Sequence, residues 1–179
     1  MATPRRCRLM SGATEFGEAF VGDGVDAANI NTVLGAAGGP VETAWVTALA
    51  TPRAGFAAFV AAVAPGTAVR PFTLFVNKAA IEGERHGALT WGAAQAGVAG
   101  GVLDAVAEGT VDAERVGELL LITAVWVNPQ AVDEDAVYRN NRSATAGALR
   151  AGRHGLPSVD DALAARGAPW NAFFRPTGA

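Results

Sequence analysis

Hydrophobic and polar positions along this chain follow patterns that predict strands and helices in irregular succession. Five short apolar segments bounded by turn residues are predicted strands: 18–22, 29–34, 55–65, 70–81 and 119–127. Predicted helices run from Pro40 to about 51, over about 92–108, over 112–118, from Asp133 to about 151 with Gly152 as a stop signal, and over 158–167. This order predicts an α/β (α+β) two-layer sandwich, with helices packed on one face of a mixed sheet.

The segment 21–35 combines a glycine turn with two closely spaced asparagines. Gly22, Asp23 and Gly24 predict a turn, because glycine adopts positive φ freely and aspartate tolerates it. If residues 29–34 form a strand, Asn29 and Asn31 share one of its faces and offer paired amide donors and acceptors. Considered as isolated residues, they are better explained as turn and cap positions.

Lys78 follows the strand pattern that is clearest in the chain. Phe72, Leu74 and Val76 precede it on one face. Burial there would lower the pKa of the lysine, because it disfavours the ammonium, and such an amine suits carbonyl or imine chemistry. The alternative is a strand-end lysine whose stem packs while its ammonium reaches solvent, and the rarity of fully buried lysines favours this alternative.

Three further polar residues are weaker candidates for chemistry. Gln95 lies in a small, apolar helical segment, where it either orients a ligand or satisfies backbone groups. His86 lies among glycines and charges, and we expect a solvated loop histidine. His154 follows the last turn of a predicted helix, where a cation interacts favourably with the helix dipole.

Composition narrows the class of protein. Half of the 179 residues are hydrophobic, 17% are charged and the formal net charge is −3. A sizeable core and a buried subunit interface are therefore possible, and nucleic acid is not an expected partner. Cys7 is the only cysteine, so an internal disulfide and paired-cysteine zinc sites are excluded, and we expect no metal site. No nucleotide-binding, GxSxG or HExxH motif occurs.

The distribution of apolar runs also bears on location and domain organisation. The dense run 119–127 is about half as long as a membrane span, and no long apolar run follows the basic N-terminus, so we expect a soluble cytoplasmic protein. We expect a flexible leader over 1–14, one domain over 15–155, and a C-terminal extension over 156–179. That extension would pack on the domain or on a neighbouring subunit through Trp170, Phe173 and Phe174.

Several segments together resemble the formaldehyde-activating enzyme family. They are GEAFVGDG (17–24), GGPVETAW (38–45), GFAAFVAAVAP (55–65), RPFTLFVNKA (70–79), WGAAQAGVAGGVLDAVAEG (91–109) and AVWV (124–127). Their order and spacing fit without large gaps from about residue 17 to 150, and the combination is specific although no single piece is. The leader and the tail after about residue 155 are expected to lie outside the resemblance.

The resemblance implies a fold, a reaction and an assembly. The family condenses formaldehyde with tetrahydromethanopterin to give the methylene-bridged pterin and water. Its fold is a sandwich of the ribosomal protein S5 domain 2 type. Its members form ring-shaped homopentamers with the pterin in a cleft between subunits. No metal or redox cofactor is used, so this chain is expected to take a tetrahydromethanopterin-like co-substrate and to bind no permanent cofactor.

The resemblance also assigns residues. Lys78, Gln95 and Val60 match the family's lysine, glutamine and pterin-contacting aliphatic position. Three other positions depart from the family's pattern: Asn29 stands where the catalytic histidine is expected, Asn31 where an aspartate is expected, and Ala80 where a threonine is expected. An amide donates a hydrogen bond but cannot transfer a proton as a general acid. These changes would make the field around the lysine more positive, and suit a neutral or anionic ligand.

The residues and the resemblance together leave three hypotheses. The first is an enzyme that condenses formaldehyde or another small aldehyde with an amine-bearing, pterin-like substrate, using Asn29 and Lys78 in catalysis. Asn31, Val60, Ala80 and Gln95 would then contact the substrate. The second is a cyclase or lyase recruited to a small-molecule biosynthetic pathway. The third is a protein that binds a pterin or an aldehyde adduct without turnover.

Overall fold

A mixed five-stranded sheet is the centre of the fold. The computed structural model describes residues 13–171 together with Phe174, Pro176 and Thr177. Most of the expected leader, residues 1–12, and Phe173 therefore lie outside the described residues. The strands are β1 (Glu15–Val21), β2 (Ala28–Ala36), β3 (Ala58–Val60), β6 (Phe72–Asn77) and β7 (Leu119–Trp126), in the spatial order β1-β2-β7-β6-β3. β6 and β7 are parallel, and the other neighbours are antiparallel.

The α-helices within the described residues range from 6 to 21 residues in length. They are α1 (Pro40–Ala50), α2 (Gly83–Ala88), α3 (Gln95–Ala107), α4 (Glu134–His154) and α5 (Val159–Ala164), and the π-helical segment Leu89–Ala94 joins α2 to α3. The buried cluster includes Ile30 and Leu121 from the sheet with Val98 and Leu149 from α3 and α4. One sheet face and the two longest helices therefore enclose the core, which confirms the predicted two-layer sandwich.

Glycines allow α3 and α4 to approach each other closely. A Cβ placed on Gly97 would lie 2.5 Å from the Tyr138 carbonyl oxygen, and one on Gly101 would lie 2.3 Å from that of Arg142. Real Cβ atoms do not come so near backbone oxygen, so any side chain at these positions would push the two helices apart. The small residues of α3 permit this close approach, and the neighbouring element is α4.

The opposite face of the sheet is only partly covered. By strand alternation it carries Asn29, Asn31 and Gly35 of β2, and a Cβ on Gly35 would meet the Val41 side chain of α1. The α1 helix therefore covers the end of this face near Gly35. The end that carries Asn29 and Asn31 faces away from α3 and α4, and we call this uncovered side the open face.

Several predicted bounds need correction. The segment 55–65 is two short strands, β3 and β4 (Ala62–Ala64), and β4 pairs with β5 (Thr67–Ala68) in a separate two-stranded sheet. The helix predicted from residue 92 begins at Gly83, because the glycine-bounded segment 83–91 is helical as well. The last long helix continues past Gly152 to His154, because the residue with positive φ that ends it is Gly155, at φ 62°.

Aspartates cap two of the elements that were predicted to begin at them. The Asp112 side chain accepts from the Glu114 amide before a short 3₁₀ helix, and the Asp133 side chain accepts from the Ala136 amide at the start of α4. None of the helices within the described part of the chain combines the length and the apolar character that crossing a membrane requires.

Replacing Gly101 should test the importance of the α3–α4 approach. We expect Gly101→Ala to lower the free energy of unfolding by about 1–3 kcal/mol, because overpacking outweighs the gain in helix propensity. Gly92→Ala is the matched control, since a Cβ there meets nothing within 4 Å, and it should leave stability unchanged or raised. Urea unfolding of both variants measures this; equal stabilities would contradict it.

Candidate active site

A pocket of about 490 Å³ opens on the end of the open face where β1, β2, β7 and β6 come together. Its described lining residues are Glu18, Phe20, Asn29, Lys78, Trp126, Trp170 and Asn171. The pocket therefore contains both residues predicted to be catalytic, Asn29 and Lys78. They are 49 positions apart in the chain, and the sheet brings them together.

The side chain of Lys78 reaches across strand β7 to strand β2. β7 lies between β6 and β2 in the sheet, and Ala124 of β7 is in register with Asn31 on one side and Val76 on the other. Lys78 Nζ donates to Asn31 Oδ1 at 2.8 Å and also to Asn29 Oδ1. β6 and β2 are therefore two strand spacings apart, about 10 Å, and the long lysine side chain spans this distance.

Asn29 holds the lysine and a carboxylate at the same time. Its Oδ1 accepts from Lys78 Nζ, and its Nδ2 donates to Glu18 Oε1 at 2.5 Å. The two ends of one amide are thus bonded to a cation and an anion, which defines the amide's orientation. Asn29 and Asn31 both lie within β2, so their interpretation as turn and cap residues is wrong. Their side chains are used for a tertiary contact.

The chemistry of Lys78 is altered by its surroundings. Burial lowers the pKa of the Lys78 ammonium below its ordinary value, while the nearby Glu18 carboxylate opposes this by stabilising the charged form. The side chain is half-buried, so it is neither the fully buried amine nor the solvated strand-end lysine considered from the sequence. An amine in this position can reach its neutral form at lower pH than an exposed lysine.

Asn77 fixes the backbone that carries Lys78. It is buried, its Nδ2 donates to the carbonyl oxygens of Gly55 and Ala79 at 2.9 and 2.6 Å, and its Oδ1 accepts from the Ala57 amide at 3.1 Å. The Lys78 amide itself donates to the Val125 carbonyl oxygen at 2.7 Å. The end of β6 is therefore held from both sides, which limits where the lysine stem can start.

His86 has a structural position that differs from the predicted solvated loop. It lies in α2, only 2% exposed, and Nδ1 accepts from the Glu82 amide at 3.0 Å. Nε2 therefore carries the proton and donates to the Val127 carbonyl oxygen at 3.0 Å. This bond ties α2 to the end of β7, immediately after Trp126. His154 is exposed in the last turn of α4.

The remaining predicted substrate-binding residues are not among the described residues that line this pocket. Gln95 Nε2 donates to the Ala62 carbonyl oxygen at 2.8 Å, which is the backbone-satisfying role considered from the sequence. Val60 lies on the edge strand β3, opposite Leu74. Ala80 is exposed near the turn at Gly55. A role for these three residues in binding stays a prediction.

No group of three or more histidine, cysteine, aspartate or glutamate side chains within the described ranges is arranged to hold a metal ion. The pocket offers two ionisable side chains among its described lining residues, Glu18 and Lys78, with amides and aromatic rings around them. Such a set can polarise a carbonyl group, stabilise charge and move a proton.

Comparison with known proteins identifies the chain's relatives. A sequence profile described as formaldehyde-activating enzyme (Fae) matches residues 16–174. The chain belongs to the formaldehyde-activating enzyme family. Because the match continues to residue 174, the resemblance extends further than the limit near residue 155 that the motifs suggested. The segment that contributes Trp170 and Asn171 to the pocket is thus part of the matched region.

Relatives within the family are of two lengths. The chain is 40% identical over 148 residues to the 5,6,7,8-tetrahydromethanopterin hydro-lyase of Methanosarcina barkeri, covering 83% of each chain. It is 37% identical over 147 residues to the bifunctional enzyme Fae/Hps of Methanothrix thermoacetophila and 32% identical over 147 residues to that of Archaeoglobus fulgidus. These alignments cover 82% of this chain but only 38% and 37% of the bifunctional relatives.

Sequence reasoning missed Glu18 and Trp126, which line the candidate site. A signal for Glu18 was present, because alternation in β1 places it opposite Asn31 on the same face. Trp126 lies opposite Asn29 across the β2–β7 pair. Finding it required the order of the strands, which the pattern of one chain does not contain.

The lowered pKa of Lys78 can be measured directly, because it is the only lysine in the sequence. Reductive methylation with formaldehyde and cyanoborohydride should reach half-maximal rate at a lower pH for Lys78 than for free lysine. Glu18→Gln should move this midpoint lower still, since it removes the charge that stabilises the ammonium. Peptide mass spectrometry distinguishes Lys78 from the N-terminal amine.

Glu15→Gln provides the control for this titration. Glu15 is on the same strand, but alternation places it on the other face, where it pairs with Arg153. The Glu15→Gln variant should leave the pH of half-maximal Lys78 methylation unchanged. An unchanged or raised midpoint in Glu18→Gln would contradict the electrostatic account.

Proposed function

We propose that this family member is a lyase-type enzyme that condenses formaldehyde, or another small aldehyde, with an amine-bearing, pterin-like substrate. The reaction forms carbon–nitrogen bonds and releases water. One observation carries the proposal: Lys78, with a lowered pKa, is held by Asn29 and Asn31 in a pocket with aromatic walls. Family membership and the hydro-lyase relative support the same reaction class.

Lys78 suits the role of orienting and polarising the aldehyde. An ammonium has three protons, and two of them are directed at the amide oxygens of Asn29 and Asn31. The third can be donated to the carbonyl oxygen, where negative charge develops as an amine attacks the carbon. Asn29 and Asn31 then act by fixing the lysine, and Asn29 also holds Glu18.

The pocket walls suit a flat organic co-substrate. Phe20, Trp126 and Trp170 provide aromatic surface beside the polar groups, and aromatic rings bury a large apolar area while stacking on planar partners. A tetrahydromethanopterin-like molecule has a flat pyrimidine ring and reacting nitrogens, so it suits both parts of the pocket. It would act as a substrate rather than as a permanently bound cofactor.

We also propose that the chain works as a homo-oligomer, a pentamer by resemblance to its family. Phe16 and Phe20 on the edge strand β1 are 69% and 40% exposed in the single chain, which supports a partner on this side. A second subunit could bring its own Val60, Ala80 and Gln95 to the cleft, which would reconcile their positions outside the pocket with the predicted binding role. Light scattering coupled to size-exclusion chromatography measures the assembly.

Two other functions stay open for the same pocket: a cyclase or lyase step in a biosynthetic pathway, and binding of a pterin or aldehyde adduct without turnover. The tail residues Trp170 and Asn171 at the pocket are compatible with either. Calorimetry with tetrahydromethanopterin separates them from the main proposal. Binding of tetrahydromethanopterin without acceleration of its reaction with formaldehyde would indicate a binding protein. Absence of both binding and acceleration would favour an enzyme recruited to another substrate.

The decisive experiment follows methylene-bridge formation from formaldehyde and tetrahydromethanopterin above the spontaneous rate. We expect the wild-type protein to accelerate the reaction and Lys78→Met to lose about 10²–10³-fold, as when one preorganised donor is removed. Methionine keeps an unbranched stem, so the variant should retain its fold. Arg139→Met, which removes an exposed cation on α4, is the control and should keep the wild-type rate. Equal rates for wild type and Lys78→Met would contradict the role of Lys78.

A further inference from the structure

Glu18 lies where a proton carrier for the condensation would be needed. Gly17 and Ala19, its neighbours in β1, face the helices: a Cβ on Gly17 would collide with the Ala148 carbonyl oxygen of α4. Alternation therefore directs Glu18 to the open face, where it lines the pocket with Lys78. It is exposed to the pocket, and Asn29 Nδ2 donates to its Oε1 at 2.5 Å.

We propose that Glu18 is the general acid and base of this enzyme, supplying the proton transfers that Asn29 cannot perform. This inference rests on the proposed condensation. Asn29 carries no titratable group, so it acts as a positioning residue that holds Glu18 and Lys78 at opposite ends of its amide. Glu18 is the carboxylic acid among the described residues that line the pocket, and a carboxyl group can both give and accept a proton.

The proton transfers balance over the two halves of the reaction. The first amine of the substrate adds to formaldehyde; its proton passes to the Glu18 carboxylate while Lys78 gives a proton to the oxygen, which yields an N–CH₂–OH carbinolamine, a Glu18 carboxyl group and a neutral Lys78 amine. The Glu18 carboxyl then gives its proton to that hydroxyl; the C–O bond breaks, water leaves and an iminium ion forms. The second amine attacks the iminium carbon, and its proton passes to the Lys78 amine, which restores the ammonium beside the Glu18 carboxylate.

The charges around Glu18 fit this cycle. Lys78 is the ionisable group that faces it from the other side of the pocket, and α4 packs against the opposite face of β1. Asn29 and Asn31 face it from β2. The other described lining residues, Phe20, Trp126, Trp170 and Asn171, carry no acidic or basic side chain. An iminium that forms in this pocket is stabilised by the negative charge of the Glu18 carboxylate.

Chemical rescue tests this role separately from a structural one. Glu18→Ala should lower kcat by about 10²–10⁴-fold with a smaller change in KM, and added formate should restore part of the rate by replacing the missing carboxyl group. Glu18→Gln should lose activity to a similar extent, and formate should not restore it, because the amide still fills the space. Glu15→Ala is the control on the same strand and should keep its rate. The formate-catalysed background without protein is subtracted throughout.

The outcomes separate this inference from the proposed function. An active wild type with Glu18→Gln within two-fold of it would overturn the role of Glu18 alone. A folded Glu18→Ala variant that is slow but does not respond to formate would also overturn it, since that result indicates a structural effect. No acceleration by the wild-type protein would overturn both the condensation and the role of Glu18. Circular dichroism establishes that each variant is folded.

Discussion

The contact between Lys78 and the two asparagines of β2 is the interaction on which the candidate site depends. It crosses a whole strand, because β7 lies between β6 and β2. Asn77 holds the end of β6 by three hydrogen bonds, and His86 holds the end of β7 against α2. Buried polar residues thus fix the backbone next to the more exposed residues of the candidate site.

The electrostatic balance of the pocket differs from the one expected from the sequence. Asn29 and Asn31 stand where the resemblance led us to expect a histidine and an aspartate, which implied a more positive field around Lys78. Glu18 supplies a carboxylate within the same pocket, hydrogen-bonded to Asn29. The site is therefore a lysine and a carboxylate joined through one amide, an arrangement that can polarise an aldehyde and also tolerate a cationic intermediate.

Much of the fold could be predicted because its signals are local. The glycine turn before β2, the aspartate caps at Asp112 and Asp133, and the alternation in β6 depend on a few consecutive residues. The prediction of a solvated loop for His86 was wrong. The glycines and charges around it are typical of a loop, whereas contacts with Glu82 and Val127 make it a buried helical residue. The predicted end of α4 was too early, because Gly152 stays helical against the Phe16 backbone of β1 and Gly155 is the glycine with positive φ.

The sequence by itself determined which residue types were available for chemistry and, through strand alternation, that Asn29 and Asn31 share a face. It also carried the family, because the order of several motifs is specific where each motif alone is not. Only the tertiary structure decided that Lys78 reaches those amides and that Glu18 and Trp126 join them, since strand order sets which faces meet. The burial that lowers the pKa of Lys78 likewise arises only when strands distant in the chain close around it.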